Sequence, residues 1–192
     1  MSANGGTSSG ADASVPATSL TQVRLGLGWS LRSGDETYDL DASAFMLGSD
    51  GRVLSDDHFV FYGNARSPDG AIVHGGDERS GGSDQQDVER IEVDLRLVPA
   101  GCTSIVFSVS IDEAERSAQN FGRVPAAYVR VIKPQDEVEL ARYDLSEDAS
   151  FETAMVFGEL HRQAGGWAFR AIGQGYPTGL RGIALELGVD VL

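Results

Sequence analysis

Thr103-Ser104-Ile105-Val106-Phe107-Ser108-Val109-Ser110-Ile111 is a nearly continuous apolar run, set between Pro99-Ala100-Gly101 and the acidic Asp112-Glu113. A short run of this kind suits a strand buried on both faces. Working outward, residues 90–97 read as a preceding strand. Residues 127–133 and 138–144 read as two more around the turn Pro134-Gln135-Asp136. Residues 152–160 and 167–172 form another pair joined through Gly165-Gly166. Upstream, residues 22–29 alternate Val23, Leu25, Leu27 and Trp29 on one face. Residues 36–47 are strand-like and enter the turn Ser49-Asp50-Gly51, and residues 58–62 make a compact aromatic strand. Ser67-Pro68-Asp69-Gly70 is a strong turn signal. Residues 112–119 suit one or two helical turns. Leu180, Ile183, Ala184 and Leu187 follow the spacing of a short amphipathic helix. Many short strands punctuated by turns predict an all-β sandwich or barrel.

The chain has 192 residues, which suits one domain with a sizeable core. Residues 1–19 are rich in Ser, Gly, Ala and Asn and predict a flexible tail, leaving residues 20–192 as the domain. No run of about 18 apolar residues exists to span a membrane. No basic-then-apolar leader is visible, and the single Cys102 cannot form an internal disulfide, which suits a reducing cytoplasm. A formal net charge of −14 argues against nucleic acid as the main partner, because phosphate binding wants clustered Lys and Arg. The same excess suits either plain solubility or a hard-cation site built from carboxylates.

Two stretches concentrate those carboxylates. In Asp39-Leu40-Asp41-Ala42-Ser43, strand alternation puts Asp39, Asp41 and Ser43 on one side, with Tyr38, Leu40 and Ala42 on the other. The pair is either a solvated strand face or part of a cation site. The second stretch, residues 74–89, reads HGGDERSGGSDQQDVE and carries Asp77, Glu78, Asp84, Asp87 and Glu89 in a backbone loosened by glycine. Calcium takes six to eight oxygens, many from carbonyls of a compliant loop. The register is not that of an EF-hand, and a disordered acidic loop is the competing reading. His58, His74 and His161 are scattered without zinc spacing, and no G-x-S-x-G elbow occurs. Cys102 reads as a packed small residue. Nothing in the spacing assembles a nucleophile, base and orienter, so catalysis is not expected.

The sequence resembles the TerD-like tellurium-resistance and general-stress family over about residues 20–191. The runs that carry the resemblance are LGLGW (25–29), YDLDASAF (38–45), DGRVLSDDHFVFY (50–62), SPDGAIVHGGD (67–77) and AQNFGRV (118–124). ARYDLSEDASFETAMVFGELHR (141–162) and WAFRAIGQGYPTGL (167–180) are the most telling. The resemblance implies a β-sandwich of two mainly antiparallel sheets with a short C-terminal helix, and no catalytic centre. It implies Ca2+ held at one end of the sandwich, a cytoplasmic location and a role in stress resistance. The partners it implies are other stress-resistance proteins, at the membrane surface in some cases. Carried over residue by residue, it implies ligands at Asp39, Asp41, Gly76, Asp77, Asp87 and Glu89, with carbonyls from residues 80–83. Glu78 stands where the family has Asn, Val88 where it has Asp, and Ser30 replaces an Asp after the Trp. These departures open a second expectation, a metal-independent interaction or scaffold module with a degenerate calcium loop.

Overall fold

The computed structural model describes residues 20–30, 38–75, 87–112, 114, 118–124, 126–148 and 151–190. Ten strands are described: β1 (Gln22–Gly28), β2 (Leu40–Leu47), β3 (Phe59–Val60), β4 (Ile72–His74), β5 (Glu89–Asp94), β6 (Ser104–Ile111), β7 (Tyr128–Lys133), β8 (Val138–Asp144), β9 (Ala154–Gln163) and β10 (Gly166–Tyr176). Two α-helices are described with them, α1 (Leu145–Asp148) and α2 (Gly179–Glu186). The strands form two five-stranded antiparallel sheets. One runs β4-β5-β1-β7-β8 and the other β10-β9-β6-β2-β3. The fold is thus the two-sheet sandwich implied by the resemblance, closed at its C-terminal end by one short helix.

The period-two pattern of β1 explains the first sheet. Val23, Leu25 and Leu27 are fully buried and join the inter-sheet core, while Arg24 and Gly26 lie on the outer face. β2 and β6 are buried on both faces. Leu40, Ala42, Ala44 and Met46 of β2 point between the sheets, as do Ile105, Phe107, Val109 and Ile111 of β6. Their alternate residues Phe45, Leu47 and Val106 pack outward under α2, against Ile183 and Ala184. The sandwich therefore has a second, smaller core on the outer side of one sheet. That explains why residues 103–111 read as an apolar run rather than an alternation.

Some expectations shift in detail. The aromatic strand foreseen at residues 58–62 is reduced to Phe59–Val60, because Asp56–His58 coil into a 3-10 turn just before it. The strands foreseen at 152–160 and 167–172 run on to Gln163 and Tyr176 as one long hairpin, with a bulge between Ala171 and Gln174. Gly158 is required in that hairpin, since a Cβ there would run into the Phe169 ring. The C-terminal helix lies where its spacing places it, with Ile183 and Ala184 buried and Leu180 and Leu187 packed at the margin.

Candidate functional site

β2 carries Asp41, with Asp39 just before its first residue, and alternation places Asp41 with Ser43 as the sequence predicts. Asp41 and Ser43 lie on the side of Phe45 and Leu47, opposite Leu40 and Ala42. That face is not solvated, since Asp41 is only 4% exposed and Ser43 is fully buried. One carboxylate oxygen of Asp39 is also shielded from solvent, and the Asp39 carbonyl accepts a hydrogen bond from the Asp112 N–H at 2.8 Å. Opposite Asp41 and Ser43, β6 presents Ser110 and Ser108 in register, both buried. A polar stripe thus continues the outer face of the second sheet beyond the apolar cluster under α2.

Glu89 opens β5 and points between the sheets. Its Oε2 accepts the Ala42 N–H at 2.8 Å, across the gap to the other sheet. The reason lies in strand lengths. β2 pairs with β3 only at Ala44 and Phe45, so the edge of β2 beyond β3 presents an N–H that a side chain must satisfy. His74 Nε2 lies 3.7 Å from the same oxygen, and both side chains are sealed from solvent. Glu89 is therefore a clamp between the two sheets.

Asp87 goes elsewhere. Its carboxylate sits over Gly26 on the outer face of the first sheet, in the space a Cβ at Gly26 would occupy. Arg130 grips both oxygens, from Nε at 2.8 Å and Nη2 at 2.9 Å, and the Tyr128 hydroxyl donates to Oδ1 at 3.2 Å. Burial, with Asp87 beside it, pushes the Tyr128 hydroxyl up to about 12, and the hydrogen bond to Asp87 raises Arg130 further. Arg142 stacks on the other side of Tyr128 at 4.0 Å from the ring centroid.

Of the predicted ligands, Asp41 lies on the outer face of β2 with Asp39 just before the strand, Glu89 lies between the sheets, and Asp87 lies on the outer face of the first sheet. Gly76 and Asp77, with the carbonyls of residues 80–83, lie outside the described residues. Among the described residues, no group of three His, Cys, Asp or Glu side chains is placed to hold a metal ion. Cys102 is buried, its thiol donates to the Ser104 carbonyl, and burial pushes its pKa up to about 11. That protonated, enclosed thiol fits the reading of a packing residue.

Sequence reasoning missed Ser108 and Ser110 of the polar stripe and the cavity beside Ser110. Asp41 and Ser110 line a cavity of about 560 Å³ between the second sheet and the start of α2. Its signal was the Ser-Val-Ser-Ile alternation inside the apolar run, which marks one face of β6 as polar.

Two five-stranded antiparallel sheets with a helix over one of them, among the described residues, define an all-β sandwich. Comparison with known proteins narrows the class. The TerD domain profile matches residues 8–186, starting inside the segment read from sequence as a tail. Tellurium resistance protein TerD of Serratia marcescens is 47% identical over 178 residues, 92% of each chain. General stress protein 16U of Bacillus subtilis is 42% identical over 174 residues, 90% of each chain. A solved homologue of telluride resistance protein (TerD) from Streptomyces coelicolor superposes with a TM-score of 0.73. That superposition covers 86% of this chain and 95% of that one, at 24% identity, and it bears on the fold alone. The chain belongs to the TerD domain family.

Proposed function

We propose that this chain is a non-catalytic, calcium-binding stress-response protein that acts in the cytoplasm, its ion held through Asp39 and Asp41 together with the acidic segment at residues 76–86. The observation that carries this reading is the burial of the Asp41 carboxylate at the start of β2, with the half-buried Asp39 two residues before it. Two carboxylates so placed repel each other, and a hard cation offsets that cost. The family relationship supports the same reading, as does the charge of −14. The fit is partial. Asp87 would have to leave a bidentate guanidinium, and Glu89 would have to share an oxygen that holds the Ala42 N–H. In this reading both serve as structural supports, and the ion relies on Asp39, Asp41, Asp77 and the carbonyls of Gly76 and residues 80–83.

Titration calorimetry of the chelated protein tests the assignment. Wild type should bind calcium, and Asp41→Asn should bind at least about tenfold more weakly, a loss of roughly 1.4 kcal/mol. Equal affinity would remove Asp41 from the site.

The engagement of Asp87 and Glu89 by protein partners favours a second reading, an interaction module that folds without metal. Catalysis has one geometric hint. The Ser55 hydroxyl meets His58 Nδ1 at 2.7 Å, and His58 Nε2 lies 3.4 Å from Asp69. Asp69 already accepts from the Ser67 hydroxyl and the Ala71 N–H, and none of the three residues borders the cavity described above. The chain of contacts ties two surface turns together. Ester hydrolysis that vanished in Ser55→Ala would overturn that view.

A further inference from the structure

Among the described residues Phe151 is the most exposed large apolar side chain, at 85%. A lone exposed ring is ordinary on a protein surface, but this one is held in water by the chain that follows it. The Glu152 carbonyl accepts the Phe121 N–H at 3.1 Å, and the Thr153 N–H donates to the Tyr176 carbonyl at 3.3 Å. Glu152 Oε2 accepts the N–H of Phe151 itself at 3.1 Å. The Glu152 stem lies where a Cβ at Gly175 would have to sit, so the missing side chain there makes room for it. An aromatic side chain on a fixed backbone makes a good interface anchor, because less freedom remains to be lost on binding.

Thr153, two residues on, lines the cavity of about 560 Å³ between the second sheet and the start of α2. Two residues of extended chain span at most about 7 Å, so Phe151 stands beside the mouth of a cavity whose walls it does not join. Those walls carry Phe61, Tyr62, Ile111, Leu180 and Leu185, and the space has room for a phenyl ring. Tyr62 and Leu185 are themselves exposed, so three exposed apolar side chains gather around one opening. A knob and a hole side by side on one surface suit a two-fold contact, in which the same patch on both copies supplies each element. Copies that each carry a net charge of −14 repel, so such a contact needs local attraction. Arg181 supplies it, standing exposed at the cavity with no ion pair among the described residues. Glu152 carries the opposite charge beside the knob.

We propose that two copies of this chain pair about a two-fold axis through this surface. The Phe151 ring of each enters the cavity of the other, and Glu152 of each meets the partner's Arg181. With few anchors, the dimer is weak and depends on concentration. This contact goes beyond the calcium reading and does not require the ion.

Sedimentation velocity and equilibrium on the full chain in chelator, from about 10 μM to about 1 mM, test the pairing. Wild type should show a reversible monomer–dimer equilibrium. Phe151→Ala removes an anchor twice per dimer and should raise the dimer Kd at least about hundredfold, tenfold for each anchor, with an unaltered melting curve. Arg181→Glu and Glu152→Lys should each weaken self-association, because each sets like charges against one another. Mixed in equal amounts, these two variants should pair with each other more tightly than either pairs with itself, since both contacts of the mixed dimer join opposite charges. A merely structural role for either residue would give no such rescue. A chain that stays monomeric to about 1 mM would overturn the pairing and leave the surface to a different partner. A dimer indifferent to Phe151→Ala, or mixed variants that associate no better than each alone, would overturn it equally.

Discussion

Replacing Glu89 by alanine should expose how the two sheets are held together. The change removes the acceptor of the Ala42 N–H and leaves His74 beside an empty space, with both side chains sealed from water. Stranding buried partners of a charged group costs about 3–5 kcal/mol. For a chain of this length each kcal/mol moves Tm by roughly 2–4 °C, so Glu89→Ala should melt about 6–20 °C below wild type. Glu89→Gln keeps an acceptor in place and loses only the charge, at a cost of about 1–2 kcal/mol. Thermal unfolding by circular dichroism, run in chelator, reads both. Chelator matters because a purely metal-ligating Glu89 would contribute nothing to the apo protein. Chelated wild type and Glu89→Ala melting within about 2 °C of each other would refute the clamp.

Asp87→Asn should lower stability by about 1–3 kcal/mol through loss of the charged pair with Arg130, and leave calcium affinity unchanged; calorimetry and denaturant unfolding check the two halves. Gly26→Ala should act on the same contact by displacing the Asp87 carboxylate, so the two variants should be strongly non-additive in unfolding free energy. Tyr128 and Tyr176 should ionise near 12 in the folded chain against an ordinary value of 10. A raised folded pKa favours the protonated native state, so this contribution is intact below pH 10 and is lost as pH rises through 12. Absorbance titration at alkaline pH should show these two tyrosines ionising late, and only after unfolding if denaturation comes first. Cys102, at about 11, should resist thiol reagents at pH 8 in the native protein and react promptly in denaturant.

Much of this architecture was legible because strand periodicity is local and rigid. Alternation alone placed Asp41 and Ser43 together and opposite Leu40 and Ala42. The double burial of β6 showed in its composition. The spacing of Leu180, Ile183, Ala184 and Leu187 announced α2. Long-range partnerships left no local trace. Asp87 and Glu89 stand two apart in an acidic segment and read as a ligand pair. One carboxylate instead lies on the outer face because Gly26 leaves room there and Arg130 waits across β1. The other turns inward because β3 is too short to satisfy the edge of β2. Neither cause can be inferred from residues 87–89 alone. The 3-10 turn that shortens the aromatic strand was hidden for a similar reason. The His58 ring is held by Ser55 and Asp69, contacts between separate turns. The cavity needed two distant segments, β6 and the start of α2, and only its serine alternation was visible in advance.

The account stands or falls on the ion at Asp39 and Asp41, and the most direct measurement is the melting temperature of chelated protein with calcium or magnesium restored. An ion that binds only the folded chain stabilises it by about 2.7 kcal/mol at a hundredfold excess over Kd. That free energy corresponds to a rise of roughly 5–11 °C at this chain length. Such a rise is expected with calcium, a smaller one with magnesium, and in Asp41→Asn a rise with calcium cut to about half or less, about 1.4 kcal/mol where binding is tenfold weaker. A cooperative transition that does not move with calcium would contradict it and leave the metal-independent interaction module as the reading of the fold.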